Sequence, residues 1–184
     1  FKVFNAPPHF NLKKIEQVHG TKIVQADKGF DEADGLIGVK DNLAILTADC
    51  MPILLLGNKG QALVHAGWRG LKNGILKEDC LQNLTVSEIF IGPHIKSCCY
   101  EITVEFLDNF PRQFFMKRKE KYFFSLREVA MLQLRQVFGD IKIWGSEKCT
   151  HCDHSFHSYR RDQTVKRNWN VWIPNIVDTL HTSR

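Results

Sequence analysis

Three short apolar runs limit what this chain can fold into: LAILT at 43–47, PILLLG at 52–57 and ALVHA at 62–66. Each is nearly continuous rather than alternating, and Asp, Gly and Asn bound them. Such runs suit strands buried on both faces, because neither side of the strand meets water. The Asn58-Lys59-Gly60 turn signal joins the last two into an expected hairpin.

A chain with that centre needs layers above and below it. TKIVQA (21–26), EIFIG (88–92), IKIWG (141–145) and VWI (171–173) supply further strand candidates. A helix is expected over 126–138, where Ser125 caps it, Glu128 returns the bond and Gly139 ends it. Weaker helices are expected over 71–82 and 102–109, the second stopped by Pro111. Strands mixed with helices, without regular alternation, favour an α+β arrangement on a mixed sheet. At 184 residues the expectation is one domain spanning 1–184.

No stretch approaches the roughly 20 apolar residues of a membrane span. The opening FKVFNAPPHF lacks the charged and apolar blocks of a secretory signal, so a cytoplasmic location is expected. The formal net charge of +5 is dispersed apart from KRKEK at 117–121. That run reads as a solvated loop, so no specific nucleic-acid partner is expected. Six cysteines, with Cys98 and Cys99 adjacent, do not read as a secreted disulfide framework, and reduced thiols are expected.

Three constellations carry chemistry. His19, Cys50 and His65 offer two imidazoles and a thiol beside small or acidic residues, a set that suits a zinc site with an open fourth position. The same residues also make a Cys–His dyad in which Cys50 is a nucleophile, and buried structural roles are the plainer reading. In HAGWRG, Gly67 and Gly70 flank Trp68 and Arg69, which suggests a turn into a helix with an anion-binding Arg69 and a flat Trp68 face for a base. In CTHCDHSFHSYRRD (149–162), Cys149 and Cys152 form a C-x-x-C that reads as structural zinc or a redox dithiol. There is no second C-x-x-C to complete a zinc site. Tyr159, Arg160 and Arg161 suit an anionic group, with solvated arginines as the alternative. The nucleobase deaminase signature and H-E-x-x-H are absent.

Taken together, QVHGTKIV (17–24), ADGLIG (33–38), TADCMPILLL (47–56), VHAGWRG (64–70), IGPHI and CYEI (within 91–102), CT (149–150) and FHSYRRD (156–162) resemble the bacterial laccase-domain family, also called multicopper polyphenol oxidoreductase or purine nucleoside phosphorylase family proteins. The resemblance implies mixed β-sheets flanked by helices in an α/β/β/α layering. It implies a metal held by His19, Cys50 and His65, with zinc expected and copper as the other option. The implied chemistry is phosphorolysis of adenosine, inosine and methylthioadenosine, together with adenosine deamination. The implied partners are a small-molecule nucleoside and phosphate, in a monomer or homodimer, with no membrane and no specific nucleic acid. Alternatives are copper-dependent polyphenol oxidation, for which Met51 beside Cys50 is the axial candidate although strand alternation directs it into the core, and a cysteine hydrolase acting on a peptidoglycan precursor. A nucleotide-binding module without turnover is a further alternative. Two departures stand out: a preceding T-R-x-G-G segment is not in this sequence, and Lys166 stands where the family has glycine, which leaves Arg167 without an assigned role.

Overall fold

The structure is a computed structural model that describes residues 1–28 and 31–174. Its strands are β1 (Lys2–Phe4), β2 (Ile23–Gln25), β3 (Gly35–Gly38), β4 (Leu43–Thr47), β5 (Met51–Gly57), β6 (Gly60–Ala66), β7 (Val86–Ile91), β8 (Glu101–Ile102), β9 (Phe115–Arg118), β10 (Lys121–Phe124), β11 (Lys142–Gly145) and β12 (Asn168–Trp172). The α-helices are α1 (Trp68–Lys72), α2 (Asp79–Gln82), α3 (Leu126–Phe138) and α4 (Tyr159–Asp162).

The apolar runs become the middle of a six-stranded mixed sheet in the order β11-β7-β5-β6-β3-β2. Strands β5 and β6 form the expected hairpin, with Met51 opposite Ala66 and Gly57 opposite Gly60. The runs are continuous because successive side chains enter different cores. Met51, Ile53 and Leu55 of β5 join one apolar cluster with Leu71, Ile75, Val129 and Leu134, whereas Leu54 joins Leu36, Leu43, Ile45 and Leu63 in the other. The first cluster lies under α1 and α3. The second is closed by the antiparallel sheet β1-β12-β4. A third antiparallel sheet, β8-β10-β9, carries the fully buried Phe124, which packs against Phe115 of β9 and against Phe106 and Phe110 of the connecting segment.

The long helix forms as expected at Leu126–Phe138, and the Ser125 side chain accepts from the Glu128 N–H. The two weaker helices do not form as continuous elements. Residues 71–82 break into the end of α1, a 3₁₀ turn at Ile75–Lys77 and α2, because Gly74 adopts a left-handed conformation with φ 86°. Residues 102–109 form β8 and then a 3₁₀ helix at Val104–Asn109.

Register places many chain ends at one end of the large sheet. The start of β5 lies beside the end of β6, and β5 Ile53 pairs with Ile91 at the end of β7. Gly35 pairs with both Ile23 and Val64, so β2 and β3 begin at this same end. Strand β11 runs parallel to β7, with Gly145 beside Ile91. In the smaller sheet Asn168 opens β12 opposite Thr47, which closes β4.

Leu63 is fully buried between the two sheets. Leu63→Ala is expected to lower the unfolding free energy by about 2–5 kcal/mol, read from urea melts as a shifted midpoint with an unchanged slope.

Candidate metal and substrate site

The gathered end of the sheet brings His19, Cys50 and His65 together, with their ligand atoms all within 4.8 Å of one another. His65 is the penultimate residue of β6, Cys50 immediately precedes β5, and His19 comes from the loop ahead of β2. Pro52 is opposite His65 in the β5–β6 register, so Cys50 lies diagonally from His65 on the same face of the sheet. The Cys50 Sγ lies 4.0 Å from His19 Nε2, and the two imidazoles meet edge to face at 4.8 Å. Gly67 makes room for this approach: a Cβ there would stand 3.1 Å from Cys50 Sγ and 3.4 Å from His19 Cδ2.

One carboxylate organises the trio. Asp34 is fully buried, just before β3. It accepts from the backbone N–H groups of Val18, His19 and Gly20 at 3.3, 3.0 and 2.6 Å, and from His65 Nδ1 at 2.7 Å. These bonds hold His19 at φ 61°, a left-handed conformation that needs such support. With Nδ1 donating to Asp34, Nε2 of His65 is free to act as a ligand, the usual carboxylate–histidine arrangement behind a metal. Burial opposes charge on Asp34, but the His65 ring and the Gly20 and His19 N–H groups outweigh it and hold the carboxyl below its ordinary range.

The trio is strongly polarised. Burial raises the Cys50 thiol, yet the His65 and His19 imidazoles overcome that effect and bring it down to about 6. Burial likewise disfavours charge on His65, while the Cys50 sulfur and Asp34 lift it to about 9. A thiolate is therefore ready as a ligand, and metal uptake would displace the proton from His65. The same ion pair would activate a nucleophilic cysteine. A two-residue dyad, however, leaves no role for His19 on the other side of the sulfur. Two imidazoles, one thiolate and an outer carboxylate fit a tetrahedral metal with one open position.

A cavity of about 640 Å³ opens over the trio, within the size range of small-molecule sites. Lys14, Arg69, Arg160 and Arg167 line it, together with Trp68, Tyr100 and Tyr159. Arg69 lies 4.5 Å over the Trp68 ring, and that indole also meets Phe106 edge to face at 5.1 Å. Helix α1 has only five residues, so the Arg69 guanidinium, more than any helix dipole, supplies the positive charge of this turn. Arg160 lies 4.8 Å over the Tyr100 ring and donates to the Glu101 carbonyl at 2.7 Å.

Arg161 does something different. It does not line the cavity, and its guanidinium donates to the carbonyls of Thr150, His151 and Phe156 at 2.9, 3.0 and 2.8 Å, as well as to Asp162. It holds its own loop, and of the two arginines it is Arg160 that faces the cavity. Arg167 lines the cavity and donates to the Thr164 and Lys166 carbonyls, while Lys166 itself is exposed. Met51 is fully buried in the cluster under the helices, on the face opposite Cys50, so it is not an axial ligand.

The sequence left Asp34, Asp49, Tyr100 and Thr150 without roles. Asp49 sits at φ 93°; its carboxylate accepts from the Thr150 hydroxyl and the Arg160 N–H, both at 2.7 Å. It thereby ties the residue preceding Cys50 to two distant loops. A signal for Asp34 existed in ADGLIG, an acidic residue entering an apolar strand, but its partners lie in other segments.

The sequence model of a family described as multi-copper polyphenol oxidoreductase laccase matches residues 2–173. Similar curated proteins include a purine nucleoside phosphorylase of Aquifex aeolicus, 40% identical over 156 residues that cover 79% of this chain and 73% of that protein. Another is the purine nucleoside phosphorylase YfiH of Escherichia coli, 30% identical over 185 residues, covering 86% of this chain and 72% of that protein. Among solved structures, Neisseria meningitidis protein NMB0706 superposes with a TM-score of 0.78 at 29% identity, covering 89% of this chain and 75% of that one. YlmD from Geobacillus stearothermophilus gives 0.75 at 28%, covering 87% and 72%. Among the described residues, no helix is long and apolar enough to cross a membrane.

Asp34→Asn is expected to weaken metal binding about 10- to 100-fold, measured by competition with a chromophoric chelator. Unchanged affinity would remove Asp34 from this role. Gly67→Ala is expected to weaken binding as well while leaving the circular dichroism spectrum unaltered, since the added methyl meets only the ligands' side chains.

Proposed function

We propose that this chain, which belongs to the multi-copper polyphenol oxidoreductase laccase family, is a zinc-dependent purine nucleoside phosphorylase that also deaminates adenosine. One observation carries the reading: a three-ligand set of His19, Cys50 and His65 shares a single cavity with the cations Lys14, Arg69, Arg160 and Arg167. The names of the relatives from Aquifex aeolicus and Escherichia coli point the same way. The substrates are adenosine, inosine or methylthioadenosine, with inorganic phosphate.

Phosphorolysis breaks the C1′–N9 bond of the nucleoside and forms a C1′–O bond to phosphate. The purine leaves with the bonding electron pair and takes up a proton, giving free base and ribose 1-phosphate. Arg69 and Arg160, with Arg167 and Lys14 further along the wall, neutralise the phosphate and hold one oxygen toward C1′. Trp68, Tyr100 and Tyr159 give the cavity aromatic surface for a base. Asp34 fixes the His65 tautomer, and Arg161 fixes the loop that presents Arg160. When bound, zinc supplies Lewis acidity at its open position, the chemistry that replacement of the 6-amino group of adenosine by water requires. None of the six cysteines is in a disulfide, in accord with a reducing compartment such as the cytoplasm. Copper-dependent phenol oxidation has weaker support, because Met51 is turned into the core and only two histidines stand at the trio.

Zinc-loaded protein incubated with adenosine and phosphate is expected to yield adenine and inosine by chromatography, and Cys50→Ala is expected to abolish both. Product formation that survives Cys50→Ala, or no product from the loaded wild type, overturns the reading. Arg160→Ala is expected to lower kcat/KM for phosphate roughly ten- to hundredfold with metal content unchanged.

A further inference from the structure

Four cysteines that no step above uses converge outside the cavity. Cys98, Cys99, Cys149 and Cys152 bring their sulfurs within 4.8 Å of one another. The topology explains how residues so distant in sequence meet. Strands β7 and β11 are parallel neighbours, and the loops leaving their adjacent ends carry the two cysteine pairs. A bridge between His94 and Cys149 continues the ladder beyond the strands, and the Thr150 N–H donates to the His94 carbonyl at 3.2 Å. The first pair lies in a turn closed by the Cys99 and Tyr100 N–H groups on the Lys96 carbonyl, both at 2.9 Å. The second pair lies in a turn closed by the Asp153 N–H on the Cys149 carbonyl at 2.9 Å.

We propose that Cys98, Cys99, Cys149 and Cys152 form a second metal centre, a mononuclear four-thiolate site for zinc that clamps these two loops together. The distances decide between the chemistries open to four thiols. Four sulfurs each about 2.3 Å from one tetrahedral ion stand about 3.8 Å apart. Cys98 and Cys152 are 3.7 Å apart, and Cys99 and Cys152 are 3.2 Å apart. A disulfide needs about 2.05 Å, and pairing off two of the four would leave the others stranded beside it. An iron–sulfur cluster interposes several atoms between its cysteine sulfurs, so it needs a wider cage than 4.8 Å. Four sulfur donors on one ion select zinc among common divalent metals.

The surroundings are those of a metal-binding knuckle. The Lys96 N–H points at the Cys149 sulfur at 3.4 Å. Such a donor stabilises a thiolate without taking its metal-directed lone pairs. The site is closed, with four protein ligands and no open position, so its work is structural. Its leverage lies in what adjoins it. Tyr100 follows Cys99 and lines the cavity, and Thr150 follows Cys149 and donates to Asp49 beside Cys50. The clamp therefore positions one wall of the cavity, whatever reaction that cavity performs.

The test is metal counting on protein expressed with zinc supplementation and purified without chelators. Wild type is expected to hold two zinc ions per chain, and Cys50→Ala to keep one. X-ray absorption on the Cys50→Ala protein is expected to show four sulfurs at about 2.3 Å and no nitrogen. Cys98→Ser with Cys152→Ser is expected to lose one zinc, to keep the ion at His19, Cys50 and His65, and to melt at a lower temperature. Because Cys50→Ala leaves the four cysteines intact, the proposal does not depend on the double variant folding. A metal-free Cys50→Ala protein overturns it, as does prompt alkylation of all four thiols in the native protein or a mass deficit of 2 Da for a disulfide. None of these readouts involves nucleoside turnover, so this proposal and the phosphorylase reading fail separately.

Discussion

A single buried carboxylate holds the working end of this molecule together. Asp34 accepts from three successive backbone N–H groups of the 18–20 loop and from the His65 ring. Without it, His19 would have no reason to hold a left-handed backbone, and His65 would be free to turn its other nitrogen outward. Removing the Asp34 carboxylate would leave the buried His65 ring without its partner as well as freeing the 18–20 loop, at a cost above that of a single hydrogen bond. The arrangement also fixes charge: Asp34 stays ionised, His65 is polarised toward the imidazolium, and Cys50 toward the thiolate.

Around that cluster, the sheets act as a frame that delivers chain ends to one place. Strand register alone puts the start of β5, the end of β6, the starts of β2 and β3 and the ends of β7 and β11 on the same rim. Asp49 then couples the rim to the loops that bear Thr150 and Arg160. Two sites of different character result. The trio opens toward a cationic cavity, whereas the four cysteines, as a proposed closed metal centre, would serve cohesion.

The central strands were legible in the sequence because burial on both faces leaves a continuous apolar run, and β4 matches its predicted span of 43–47. The capped helix at 126–138 was equally legible, since Ser125, Glu128 and Gly139 mark both its ends. The segment 71–82 misled because its apolar residues serve a core without helical continuity, and Gly74 turns the chain within it. The trio of His19, Cys50 and His65 was visible as residue types, but only the family motifs singled it out from ordinary structural side chains. Arg160 and Arg161 are indistinguishable as adjacent letters. Their different duties follow from a short helix that turns one toward the cavity and the other toward its own loop carbonyls. The four-cysteine cage was hidden because a lone C-x-x-C says nothing about a partner pair some fifty residues away, and only the parallel pairing of β7 with β11 brings the two pairs together.

That same pairing has a consequence for the order of events during synthesis. The cavity draws on segments far apart in the chain, from Lys14 ahead of β2 to Arg167 just before β12. Contacts so distant along the chain form late, after loop closure has brought the sheet together. A metal bound at either of the two proposed sites could therefore not seed folding, as it does in a zinc finger. The emerging polypeptide must first expose His65 for the trio, Cys152 for the four-cysteine cluster and Arg167 for the cavity wall.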